Sequence, residues 1–173
     1  EKIYFKATGL TPTSEAGIGT FTVNKQFNLS GNCMSMLFGD NGKDSYDLTG
    51  YDYAFLKLFY NCTTLKSVSA GFLPATTLIN NCYRSMFNGC SSLTTAPELP
   101  ATILAINCYY YMFYNCTGLT TAPELPATIL APYCYYAMFN GCSSLTTAPE
   151  LPATILAPYC YYNMFVNCIG LTI

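Results

Sequence analysis

An α/β solenoid is the fold class this sequence predicts: a right-handed array of short strand plus short helix on a 26-residue period, behind a β-rich N-terminal module. Three observations predict it. Cys82, Cys108, Cys134 and Cys160 recur every 26 residues, Cys90, Cys116, Cys142 and Cys168 follow each by eight, and "LTTAPELPATILA" stands unchanged at 93–105, 119–131 and 145–157. A fixed period of about 20–50 residues marks units that bury their apolar side against their neighbours. Variation within "CYYAMFN" (134–140) has helical spacing, and "LTTAPELP" is a β-forming run closed by two prolines.

The elements follow in order. Residues 1–32 are expected to form a β-rich N-terminal cap, because "KIYFKA" (2–7) and "GTFTVNKQFNLS" (19–30) alternate apolar and polar residues as half-buried strands do. The array then runs over 33–173, in units near 33–53, 54–81, 82–107, 108–133, 134–159 and 160–173. In the first unit "CMSMLF" (33–38) parallels "CYRSMF" (82–87), and "DNGKDSYDLTGYD" (40–52) reads as a junction loop.

The spacing predicts a short helix in every unit. Cys134, Tyr135, Met138 and Phe139 fall within an arc of about 140° on a helical wheel, and their equivalents are unchanged in the copies starting at 82, 108 and 160. The opposite arc varies. It carries Arg84, Ser85 and Asn88, then Tyr110, Tyr111 and Tyr114, then Tyr136, Ala137 and Asn140, then Tyr162, Asn163 and Val166. This variable face is the candidate binding surface, since tyrosine joins a large apolar area to a polar tip. The same rings could also pack on one another between units. The following position holds only Asn or Gly (Asn61, Gly89, Asn115, Gly141, Asn167), which suits a helix stop. Pro132 and Pro158 fit a first helical turn. The prolines of "LTTAPELP" limit the strand to three or four residues.

Composition narrows the function. Charged residues are 9% of the chain, against roughly 25% in soluble proteins. All seven basic residues lie between Lys2 and Arg84, so the stretch from Ser85 onward carries Glu98, Glu124 and Glu150 and no base. Nucleic acid, which needs a Lys/Arg stripe, is excluded as a partner. Membrane insertion is not expected, because apolar runs such as "ILAPYCYYAMF" (129–139) are short and broken by proline. The opening residues lack the basic start and apolar run of a secretory signal.

The chain has no histidine, so no Ser–His or Cys–His pair can activate a nucleophile, and no enzyme, cofactor or metal site is expected. Paired cysteines eight residues apart on a helix would lie about 12 Å apart along its axis, beyond disulfide reach. Cysteine as a small buried apolar residue is the preferred reading, with disulfides elsewhere left open. Glu98, Glu124 and Glu150 are expected to splay into solvent, a bridging divalent cation being the alternative.

The run "LPATILAPYCYYAMFNGCSSLTTAPE" resembles the BspA-like class of leucine-rich repeats, found in bacterial surface proteins. The likeness rests on the proline before the turn, the "MF" aromatic, the following "GC" or "NC", and the leucine of "SSLT"; it covers 54–173 well and 33–53 loosely. It implies a leucine-rich-repeat-like scaffold at the cell surface or outside the cell, used for adhesion to a host or neighbouring-cell protein or glycan. The second reading is a self-assembling structural protein, in a surface filament, layer or virion fibre. Its features are the invariant repeats and an uncapped C-terminal end at "CIGLTI", a possible surface for self-association.

Overall fold

The structure, a computed structural model, describes residues 18–172; the strand expected at 2–7 lies outside them. Parallel backbone contacts tie the repeats together. β1 (Phe27–Leu29) pairs in parallel with β2 (Leu65–Val68), with Leu29 opposite Val68. From β2 the pairing continues as single bridges, Ser67 to Thr95 to Thr121 to Thr147. A second rung joins Asp47 to Thr77, Thr77 to Ile103, and Ile129 to Ile155.

The strand of three or four residues expected in each unit is corrected here: beyond β2 it shrinks to one bridged residue. The physical reason is close at hand, since Pro97 stands two residues after Thr95 and has no N–H for the next ladder bond. Threonine side chains supply part of what is lost. Thr94 and Thr146 donate Oγ1 hydrogen bonds of 3.1 Å to the Lys66 and Thr120 carbonyls.

The larger correction concerns the helix. Residues 82–90 and their equivalents form a ribbon of consecutive tight turns. Arg84 N–H closes on Asn81 carbonyl, Met86 on Tyr83, Asn88 on Ser85 and Cys90 on Phe87. The alternate N–H groups leave the unit altogether: Tyr83, Ser85, Phe87 and Gly89 donate to the carbonyls of Cys108, Tyr110, Met112 and Tyr114 at 2.8–3.0 Å. A chain that turns every second amide outward cannot also run the i→i−4 ladder of an α-helix. Every fourth residue takes a positive φ, as at Asn81 (60°), Ser85 (54°) and Gly89 (76°). That is the third position of a type II turn, which explains the recurrent Asn and Gly better than a helix stop does.

Among the described residues the one α-helix is α1 (Ser35–Phe38). A 3-10 helix, Gly39–Asp44, follows it and occupies part of the expected junction loop. Of the strand expected over 19–30, only β1 forms. The chain before β1 instead lies along the ribbon of the 54–81 unit: Phe21 N–H donates to Leu58 carbonyl at 2.7 Å, and Thr20 Oγ1 to Lys57 carbonyl at 3.0 Å.

The core is a set of columns. Phe59, Phe87, Phe113, Phe139 and Phe165 stack with centroids 5.7–5.8 Å apart and rings within 5° of parallel. Phe55, Tyr83, Tyr109, Tyr135 and Tyr161 form a second file at 5.6–5.8 Å. Such pairs add about 0.5–1.5 kcal/mol each beyond area burial. All ten cysteines are buried free thiols. Four donate weak bonds back along the array: Cys90, Cys116, Cys142 and Cys168 Sγ reach the carbonyls of Phe59, Phe87, Phe113 and Phe139 at 3.0–3.1 Å.

Candidate functional site

The ribbon decides where each variable side chain points. Within each four-residue step two side chains enter the core and two face away, so the variable positions form files running from unit to unit. Arg84, Tyr110, Tyr136 and Tyr162 make the principal file. The Arg84 guanidinium lies 5.1 Å over the Tyr110 ring, Tyr110 stacks on Tyr136 at 4.7 Å and 6°, and Tyr136 on Tyr162 at 5.2 Å and 22°. Beside it Tyr111 meets Tyr110 at 4.3 Å, Tyr114 at 4.8 Å and Tyr136 edge-on at 5.6 Å.

Not every expected residue is available. Ser85 and Ala137 are buried, being small side chains at a position where Tyr111, with the same left-handed backbone, reaches out and stays half-buried. Asn88, Tyr114 and Asn140 are half-buried, and Tyr162, Asn163 and Val166 are exposed. The face also includes two tyrosines that the helical wheel left out. Tyr133 stacks on Tyr159 at 5.0 Å and lies 5.9 Å from Tyr136, while Tyr159 meets Tyr162 at 5.7 Å. Their signal was present, since the position before each first cysteine varies as Asn81, Asn107, Tyr133 and Tyr159.

Packing consumes ring faces. Each inner ring of the file is covered on both sides by its neighbours, so edges and hydroxyls point outward. Desolvation among the packed rings, then the adjoining Tyr hydroxyls, raise Tyr111 and Tyr136 above the ordinary tyrosine range. Arg84 is the one basic residue on this face, and the face has no acidic one. A second outward column, Ile103, Ile129 and Ile155, runs along the bridge rung, each about 60% exposed. It is uniform where the tyrosine face varies.

The remaining candidates carry no chemistry of their own. Burial pushes the Cys82, Cys134 and Cys142 thiols up to about 12, and Cys108 and Cys116 further above the ordinary thiol range. A thiol so protonated is a poor nucleophile and a poor metal ligand. Glu98, Glu124 and Glu150 are exposed. Among the described residues no group of His, Cys, Asp or Glu is placed to hold a metal ion, and no helix is long and apolar enough to cross a membrane. A shallow groove of about 200 Å³ between Thr94–Ala96 and Thr120–Pro123 has no ionisable lining. No protein-family model, curated protein or solved structure matches the chain.

Proposed function

We propose that the chain is a non-enzymatic, leucine-rich-repeat-like solenoid at a bacterial cell surface or outside the cell, and that its tyrosine face binds a partner protein. One observation carries this reading: most of the residues that vary from unit to unit, the buried Ser85 and Ala137 apart, lie on one face of a frame whose inward Cys, Met and Phe positions repeat. Diversity confined to a surface is what a recognition scaffold needs, while identity in the core keeps the units stacked. Tyrosine edges and hydroxyls suit a protein surface, where apolar contact and hydrogen bonding are combined. A sugar that stacks on aromatic faces finds few here, because Tyr110 and Tyr136 are already face to face.

The test compares the chain with its Tyr136→Ala variant on purified host extracellular-matrix proteins and on an array of surface glycans. A protein should be retained, with affinity falling about tenfold or more in the variant, and a Glu124→Gln control should bind as before. Equal binding by Tyr136→Ala, or retention by glycans alone, would contradict the proposal. Coincident thermal melts of the two chains establish that the change acts on the surface.

A further inference from the structure

Arg84 stands where the tyrosine file begins, and its guanidinium is held in place by the chain's own groups. The guanidinium lies 5.1 Å over the Tyr110 ring, and Nη1 donates to Oδ1 of Asn81 at 3.5 Å. Asn81 is itself buried and takes a left-handed φ of 60°, so the ribbon fixes that acceptor. The Arg84 charge also reaches Tyr111, where it opposes part of the rise that desolvation and the Tyr110 hydroxyl impose. None of these contacts supplies a counter-ion. Arg84 forms no ion pair among the described residues. Glu98, Glu124 and Glu150, the acids of the later units, belong to the proline-flanked segments and not to this file.

A guanidinium stacked on one side and tied at one edge keeps its other N–H groups in a fixed fork, and that fork matches a carboxylate. Side-chain freedom already lost in the free chain is not lost again on binding.

We infer that Arg84 is the orienting anchor of the tyrosine face: it takes a single carboxylate, from an Asp or Glu of the partner protein, and the uncharged residues beside that acid lie over Tyr110 and Tyr136. The inference rests on the tyrosine-face reading and gives its partner a chemistry and a direction. Charge complementarity sets the chemistry, because one fixed cation on a face without acids draws one anion. A polyanion needs a row of bases, and the next positions of the file are tyrosines. The order of the file sets the direction. Tyr110 lies between Arg84 and Tyr136, at 5.1 and 4.7 Å, and an extended segment rising about 3.3 Å per residue covers that span with about three residues. These positions all lie in units that have a neighbour on either side.

The experiment pans a phage-displayed library of random peptides against the whole chain and against its Tyr136→Ala variant. Peptides that the chain retains and the variant loses should carry Asp or Glu at one end of an uncharged segment. One such peptide is then synthesised with its acid and with the matching amide, and both are titrated against the chain, Arg84→Gln and Arg84→Lys. Affinity should fall about tenfold or more when either member of the pair is neutralised, and neutralising both should cost little beyond the first. Arg84→Lys should keep only part of the affinity, since it has the charge without the fork. The amide peptide tests the pair without altering the chain, and thermal melts of the Arg84 variants should coincide with the parent's. Tyr136-dependent peptides that lack an acid, or an acidic peptide that binds Arg84→Gln equally well, would overturn the anchor and leave the tyrosine face standing. A library in which no peptide depends on Tyr136 would overturn both. Retention of sialylated glycans through Arg84, with no acidic peptide retained, would put the carboxylate on a sugar and overturn the inference too.

Discussion

One file of residues shows how closely the repeat is fitted. Asn61, Gly89, Asn115, Gly141 and Asn167 occupy equivalent positions, all with φ between 56° and 79°. Asparagine and glycine alternate for a steric reason. A Cβ at Gly141 would land on Oδ1 of Asn115 and lie 3.4 Å from its Cα, and Gly89 stands in the same relation to Asn61. Each asparagine thus fills the space that the next unit leaves empty. Gly141→Ala should lower stability by about 1–2 kcal/mol in denaturant unfolding. In an Asn115→Gly background about 1 kcal/mol of that loss should return, as contacting positions couple. Strict additivity of the two changes would show that the backbone angle alone, and not the asparagine, forbids the side chain.

Ribbon and helix share an inward pattern, which is why the sequence predicts one and the structure contains the other. Cys134, Tyr135, Met138, Phe139 and Cys142 recur with a period of four, and over so short a window that is hard to separate from 3.6. The stacking of units, the inward cysteines and most of the variable face were legible, because they depend only on which side each residue faces. The turn geometry depends on hydrogen bonds between units, and no local pattern records those. Tyr133 was missed because it lies one residue before the expected helix, which began at Cys134, although at about 100° per residue it too falls on the variable arc. The strand was overestimated because proline spacing was read as a limit on length, not as removal of the ladder. A consequence of the inward file concerns pH. Burial raises the Cys82 and Cys134 thiols to about 12, so the unfolded chain loses these protons first, near the ordinary thiol range of about 8.5. Stability is then fully present below that range and falls as pH rises toward 12, by about 1.4 kcal/mol per pH unit for each such thiol. Melting temperature measured from pH 7 to 11 should decline steeply above about 9, and thiol reagent should label the chain only as it unfolds. A flat profile, or ready labelling at pH 7, would mean that the thiols are not buried.

For the whole molecule, low charge and aligned amides belong together. Five files of peptide hydrogen bonds pointing one way join the units, and the interior needs no charged residue to hold its register. The Phe and Tyr columns set the spacing between units, the glycine–asparagine file sets their phase, and the outer tyrosines are then carried at fixed intervals along one side. All of this rests on the ribbons being joined unit to unit through alternate amides. The most direct measurement is the scalar coupling transmitted through individual hydrogen bonds, recorded by NMR between backbone nitrogen and carbonyl carbon. The nitrogen of Phe113 should couple to the carbonyl carbon of Met138, whose oxygen it approaches at 3.0 Å. A coupling from Phe113 to the carbonyl of Tyr109 instead would restore the α-helix and contradict the account.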